Sequence, residues 1–192
     1  NSISLFSTNK SNKPEVTYRT HVENIGWQNY VKESEIAGTS GKSYRLEGIN
    51  IKLQGSYSDL NIKYQVHIQN IGWQDWKTNG EMAGTEGRSY RLEGIKIRLE
   101  SSDEYSIMYR VHVQNIGWQD WKTDGEMAGT EGQSLRLEAI QIKIVPKVKK
   151  GRITIETGAN GSIYYSPTSV KVSGWKMSNV SNTKLKVYID NS

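Results

Sequence analysis

Cysteine is absent from all 192 residues. Its absence excludes a disulfide-stapled scaffold, thiolate chemistry and cysteine-based zinc sites, and suits either the cytosol or a bacterial surface where disulfides are rare. No stretch approaches the roughly 18 consecutive apolar residues of a membrane span, so membrane insertion is not expected. Hydrophobic residues reach only 35% and aromatics 9%, while glycine numbers 18. That is lean for a helical protein and ordinary for short strands joined by tight turns. The opening NSISLFSTNKSNKP has neither an initiator Met nor a signal-like apolar segment, so the chain reads as a mature product or an excised piece. A phosphate-binding loop is missing as well, because AGTEG lacks the Lys and the strand-to-helix context that such a loop requires. With no Ser-His-Asp or metalloprotease spacing either, neither an enzyme nor a cofactor is expected.

What is present is a triplication. Tyr64–Glu100 returns at Tyr109–Val145 with ten differences in 37 aligned positions, and a looser copy occupies Tyr18–Gln54. His21, His67 and His112 mark the phase, 46 and 45 residues apart. One copy is too small to bury a core, so the three must share one. The formal charge of +5 and pI near 9.2 do not define a nucleic-acid surface. Arg and Lys alternate with Glu in RLEG, RLEA and KTNGE, which gives mixed faces rather than a basic stripe.

Within the third copy Tyr109, Val111 and Val113 alternate with Arg110, His112 and Gln114, the period of a strand with one buried face. A bend at Asn-Ile-Gly, the run GWQDW and the turn-rich TDGEMAGTEGQ follow. A second run, Leu135, Leu137, Ile140, Ile142 and Ile144, slips phase at Ala139, the position of Gly94 and Gly48, which signals a β-bulge or a corner. About four strands per copy are expected. The expected fold is all-β: a pseudo-threefold, β-trefoil-like module of three repeats of about 45 residues, or alternatively a β-prism. Residues 1–15 are expected as a flexible lead-in, 16–145 as the repeat domain and 146–152 as a basic linker carrying Lys147, Lys149, Lys150 and Arg152. Residues 153–192, with strands near Ile153–Ile155, Val170–Val172 and Leu185–Ile189, read as part of a small β-sandwich.

Three groups of residues could carry chemistry. His112 and its equivalents lie on the face opposite Tyr109, hence outward, where three imidazoles diverge and hold no metal. Glu35, Glu81 and Glu126 recur at equivalent, separated positions. General acid–base work needs two carboxylates in one cleft, so these read as turn or ladder partners for Arg and Lys. In Trp118–Gln119–Asp120–Trp121 an extended chain would send the two indoles to opposite faces. Either the chain bends and both pack inside, or one anchors the core while the other is partly exposed. A partly exposed ring beside Asp and Gln suits a sugar, whose C–H face packs on the ring while planar polar groups take its hydroxyls. The candidate ligand-binding residues are therefore Trp76, Trp121 and Tyr30, with Asp75, Asp120, Gln74 and Gln119.

The pattern Y-x-V-H-V-Q-N-x-G-W-Q-x-W, then D-G-x-x-A-G-T-x-G, then S-x-R-L-E-A-I-x-I resembles the ChW repeat, named for clostridia, hydrophobicity and its Trp. Trp27, Trp73 and Trp118 carry the match, which covers about residues 16–145 and departs at Asn29, Tyr30 and Lys32–Ile36. The resemblance implies an extracellular, surface-attached protein of a Gram-positive bacterium that binds cell-wall glycan or another polysaccharide, without catalytic residues. A structural or protein–protein adhesion role on the cell surface is the alternative, with other surface proteins as partners. The tail looks like an Ig-like segment found beside such repeats. Because the first copy changes the candidate contacts, two good sites and one degraded site are expected, acting together through avidity.

Overall fold

Alternating burial explains the long strands directly. In the computed structural model the backbone is described for residues 13–55, 60–147, 149–154, 160–166 and 169–173, and side chains for 13–55 and 60–147. The first repeat contributes β1 (Glu15–Val22), β2 (Gly26–Trp27), β3 (Val31–Lys32), β4 (Ala37–Gly38) and β5 (Leu46–Gln54). The second repeat contributes β6 (Asn61–Ile68), β7 (Gly72–Trp73), β8 (Lys77–Thr78), β9 (Met82–Gly84) and β10 (Leu92–Glu100). The third contributes β11 (Tyr105–Val113), β12 (Gly117–Trp118), β13 (Lys122–Thr123), β14 (Ala128–Gly129) and β15 (Leu137–Pro146). Each copy thus holds five strands, one more than expected, because the GWQDW region splits into two short pieces. In β6 the side chains of Ile62, Tyr64, Val66 and Ile68 are buried and alternate with half-buried Asn61, Lys63, Gln65 and His67.

The long strands of each copy pair antiparallel, with Tyr18 opposite Ile51 and Tyr64 opposite Ile97. Two short strands fold back on the first long one, placing His21 opposite Trp27 and Thr17 opposite Lys32. The fourth strand leaves its own copy. Strand β9 pairs with β5, β14 with β10, and β4 with β15, so the first repeat completes the sheet of the third. Three antiparallel sheets result, each borrowing a strand from another repeat, and the exchange closes on itself.

Two devices hold these seams. Tyr18, Tyr64 and Tyr109 are fully buried. Each hydroxyl donates to a carbonyl of its own copy, Glu35, Glu81 or Glu126 respectively. Each also accepts the amide of a residue in a different copy: Ile142 at 3.0 Å, Ile51 at 3.2 Å and Ile97 at 3.0 Å. Burial raises all three phenols far above the ordinary value, Tyr64 to about 12. The second device is Gly84, at φ +116°, where a Cβ would collide with the backbone of Glu47 and Gly48; Gly38 and Gly129 are its equivalents.

The phase slip anticipated near Gly48 is a β-bulge. His21 pairs with Gly48 while Val22 pairs with Leu46, leaving Glu47 as the extra residue; Glu93 does the same in the second copy. In a separate unit, β16 (Lys149–Thr154), β17 (Asn160–Ser166) and β18 (Ser169–Ser173) form an antiparallel three-stranded sheet. Lys149, Lys150 and Arg152, read from composition as linker, are strand residues of β16. Of the expected lead-in at 1–15, residues 1–12 lie outside the described residues, as does the strand near Leu185–Ile189, while Glu15 opens β1.

Candidate ligand-binding faces

The two aromatic residues of each GWQDW run lie on the same face, contrary to the alternation expected of an extended chain. His112 pairs with Trp118, whereas Tyr109 pairs with Lys122, so one extra residue sits between the two short strands. A one-residue slip inverts the side-chain phase and returns Trp121 to the side of Trp118. Both indoles are half-buried, and among the described residues no tryptophan belongs to the buried core, which is built from Tyr, Ile, Leu and Val. Neither ring is the core anchor that the sequence suggested.

The first indole covers a charged network. Trp27, Trp73 and Trp118 meet His21, His67 and His112 edge to face, at 5.4, 5.4 and 5.6 Å between centroids. Each His Nδ1 lies 3.1 Å from the bulge carboxylate, Glu47, Glu93 or Glu138, but off the line of a hydrogen bond. Arg45, Arg91 and Arg136 pair with the same three carboxylates at 2.8 Å. These glutamates are only 4 to 6% exposed, and a carboxylate so buried requires such partners. The histidines are thus outward-facing but covered rather than freely exposed. Sequence reasoning missed this network; the recurrence of His and RLE in fixed phase, one residue before the slip, was the available signal.

Cations cover the rings. Arg19 sits 4.7 Å from the centroid of Trp27 and 4.8 Å from that of Tyr30, while Lys52 lies 4.0 Å from Tyr30. The third copy repeats this, with Arg110 at 5.0 Å from Trp118 and 4.9 Å from Trp121, and Lys143 at 4.0 Å from Trp121. In the second copy Lys96 lies over Trp73 and Arg98 over Trp76, both at 4.4 Å. The exchange is compensated across the strands. Arg19 faces Asn50, whereas Lys96 faces Gln65, so one cation and one amide remain although they trade sides. Contacts of this kind contribute about 0.5–2 kcal/mol each, rising with desolvation.

The remaining candidates divide. Asp75 and Asp120 are exposed and form no hydrogen bond or ion pair among the described residues. Gln74 and Gln119 are committed to the fold: each amide accepts from and donates to the backbone of Gly84 or Gly129 in its own copy. Tyr30 is 37% exposed, more so than either half-buried Trp equivalent. The carboxylates of Glu35, Glu81 and Glu126 accept backbone amides three residues earlier, at 2.6, 2.7 and 2.7 Å, and so close turns rather than pair with Arg or Lys.

Three interlocked copies, each presenting an aromatic and cationic outer face, define a tandem-repeat all-β module. The family model described as Clostridial hydrophobic W, ChW, matches residues 21–55, 67–101 and 112–146, one match per copy and together more than half of the chain. The chain belongs to the ChW family. No curated protein and no solved structure matches it.

Proposed function

We propose that the repeat domain is a non-catalytic module that attaches a secreted or surface protein of a Gram-positive bacterium to cell-wall glycan or another polysaccharide. One observation carries the reading: each copy holds a second aromatic residue, Tyr30, Trp76 or Trp121, outside the core on an outer sheet face. Burial would have been the stabilising use of so large an apolar ring, so its place on the surface marks it for contact. Asp75 and Asp120 stand beside the two indoles with their carboxylates uncommitted, whereas Gln74 and Gln119 support the site from behind. Three distinct sheets, rather than one continuous barrel, support a prism-like over a trefoil-like closure. The antiparallel order β16-β17-β18 supports part of an Ig-like sandwich in the second unit.

The test is retention on purified, protein-free cell wall, comparing wild type with Trp76→Ala/Trp121→Ala. Affinity is expected to fall at least tenfold in the folded double variant; unchanged retention removes these residues from the site. A protein–protein adhesion role is the second reading. Ile25, Ile71 and Ile116 favour it, because all three stand about half exposed at equivalent hairpin tips. Binding to intact cells but not to protein-free wall selects that role.

A further inference from the structure

The outer-face cations of the first and third repeats differ from Arg45, Arg91 and Arg136 in one respect. Arg45, Arg91 and Arg136 are neutralised by Glu47, Glu93 and Glu138. Among the described residues, no carboxylate pairs with Arg19, Lys52, Arg110 or Lys143, although exposed Asp120 is adjacent to Trp121 in the chain. Arg19 and Arg110 are nevertheless held firmly. Each guanidinium touches two rings, and each Nε donates to a neutral amide oxygen, of Asn50 at 3.2 Å and Gln141 at 2.8 Å. Their terminal nitrogens make no protein hydrogen bond among the described residues. A guanidinium fixed through Nε with both terminal nitrogens unengaged is preorganised to grip a carboxylate or phosphate through two parallel bonds.

The second copy has lost this property. Its strand end carries Glu100 where the other copies have Gln54 and Val145. Glu100 pairs with Lys63 at 3.1 Å and with Arg98 at 2.9 Å. Lys63, and then Arg98, hold its carboxyl below the usual range, so the charge is present at neutral pH. The position of Arg19 and Arg110 is taken there by Gln65.

We propose that the outer faces of the first and third repeats bind an acidic polysaccharide whose units carry a carboxylate or a phosphate. Arg19 and Arg110 grip the anion, Lys52 and Lys143 add charge beside it, and the rings take the sugar. This rests on the glycan-binding reading and reverses the ranking of the copies drawn from aromatic residues alone. The first repeat, with Tyr30, joins the third as a full site, and Glu100 mutes the second. The sites lie on separate sheets rather than along one basic track, which favours a glycan over a nucleic acid.

The experiment titrates the 192-residue chain with polygalacturonate, poly(glycerol phosphate), neutral dextran and single-stranded DNA, following Trp fluorescence and electrophoretic retardation. One or both acidic polymers should bind, dextran at least tenfold more weakly, with affinity falling as salt is added; whichever acidic polymer binds tighter identifies the anion. Arg19→Gln/Arg110→Gln should weaken binding by at least tenfold, and Arg19→Lys/Arg110→Lys by less. Glu100→Gln should strengthen it, a gain that misfolding cannot produce. Equal binding of acidic and neutral glycans, or no effect of the Arg variants, overturns the acidic specificity while leaving the glycan reading intact. No retention of wild type on protein-free cell wall overturns that reading itself. Tighter binding to DNA than to either acidic polymer overturns the choice of partner.

Discussion

Replacing Tyr18, Tyr64 or Tyr109 singly by Phe tests whether the three repeats close into a ring. Each substitution removes one oxygen that joins two copies. In Tyr109→Phe the amide of Ile97 loses an acceptor at 3.0 Å, and the carbonyl of Glu126 loses its donor. A buried polar group left without a partner costs about 1–3 kcal/mol, so two of them cost about 2–6 kcal/mol. At about 3 °C per kcal/mol for a domain of this size, Tm should fall by about 6–18 °C. Urea unfolding followed by circular dichroism should show a lower midpoint and an unchanged slope, since the surface exposed on unfolding stays the same. The informative comparison is among the three sites. A closed ring has three equivalent seams, so Tyr18→Phe, which breaks the contact to Ile142, should cost as much as the other two within about 1 kcal/mol. In a linear stack the terminal copies would lack that seam. A cost below about 0.5 kcal/mol for Tyr18→Phe, with more than 2 for Tyr64→Phe and Tyr109→Phe, would refute closure.

Two other outcomes follow from the same seams. Gly84→Ala, with its Cβ driven into the Glu47 backbone at φ +116°, should cost more than about 3 kcal/mol or abolish soluble expression. Gly80→Ala, at φ +88° with open space around it, should cost only about 1–2 kcal/mol; equal effects of the two on urea midpoint would remove the steric argument. Alkali should also unfold the domain in a defined window. An unfolded phenol ionises near 10 while Tyr64 in the fold is raised to about 12 by burial, so the folded state retains a proton that the unfolded state releases. Stability is then intact below about pH 10 and lost as pH rises toward 12, about 3 kcal/mol for Tyr64 alone. Tyrosinate absorbance should therefore rise together with loss of circular dichroism. Full titration of all tyrosines at pH 10 with the fold intact contradicts their burial.

Much of the architecture was legible because period-two alternation maps directly onto one buried face. Tyr64, Val66 and Ile68 are buried as their spacing requires, and the phase slip at Gly48 is a bulge. The site was read less well, for a reason visible in the register. The Trp118–Trp121 alternation assumes one continuous strand, whereas His112 and Tyr109 pair with residues that reveal an inserted position. That single residue puts both rings on the outer face. Gln119 was judged by its chemistry, which suits a sugar hydroxyl, but that chemistry suits the backbone of Gly129 equally well and the folded chain uses it there. The trade of Arg19 and Asn50 for Gln65 and Lys96 was written in the repeat alignment. It acquires meaning only once those residues are known to face each other across two strands.

The sequence by itself determined that this is a β protein of three copies sharing a core, since periodicity and repetition are properties of the chain. It also determined membership of its family, which is carried by motifs of contiguous residues. Only the tertiary structure decided which repeat completes which sheet. That depends on β4 of the first copy reaching β15 of the third, where Gly38 pairs antiparallel with Ala139, 101 residues further along the chain, a pairing that local pattern does not encode. Only the fold, likewise, separated the neutralised arginines from Arg19 and Arg110. Charge becomes a site through the partners that packing supplies or withholds, and those partners come from other strands.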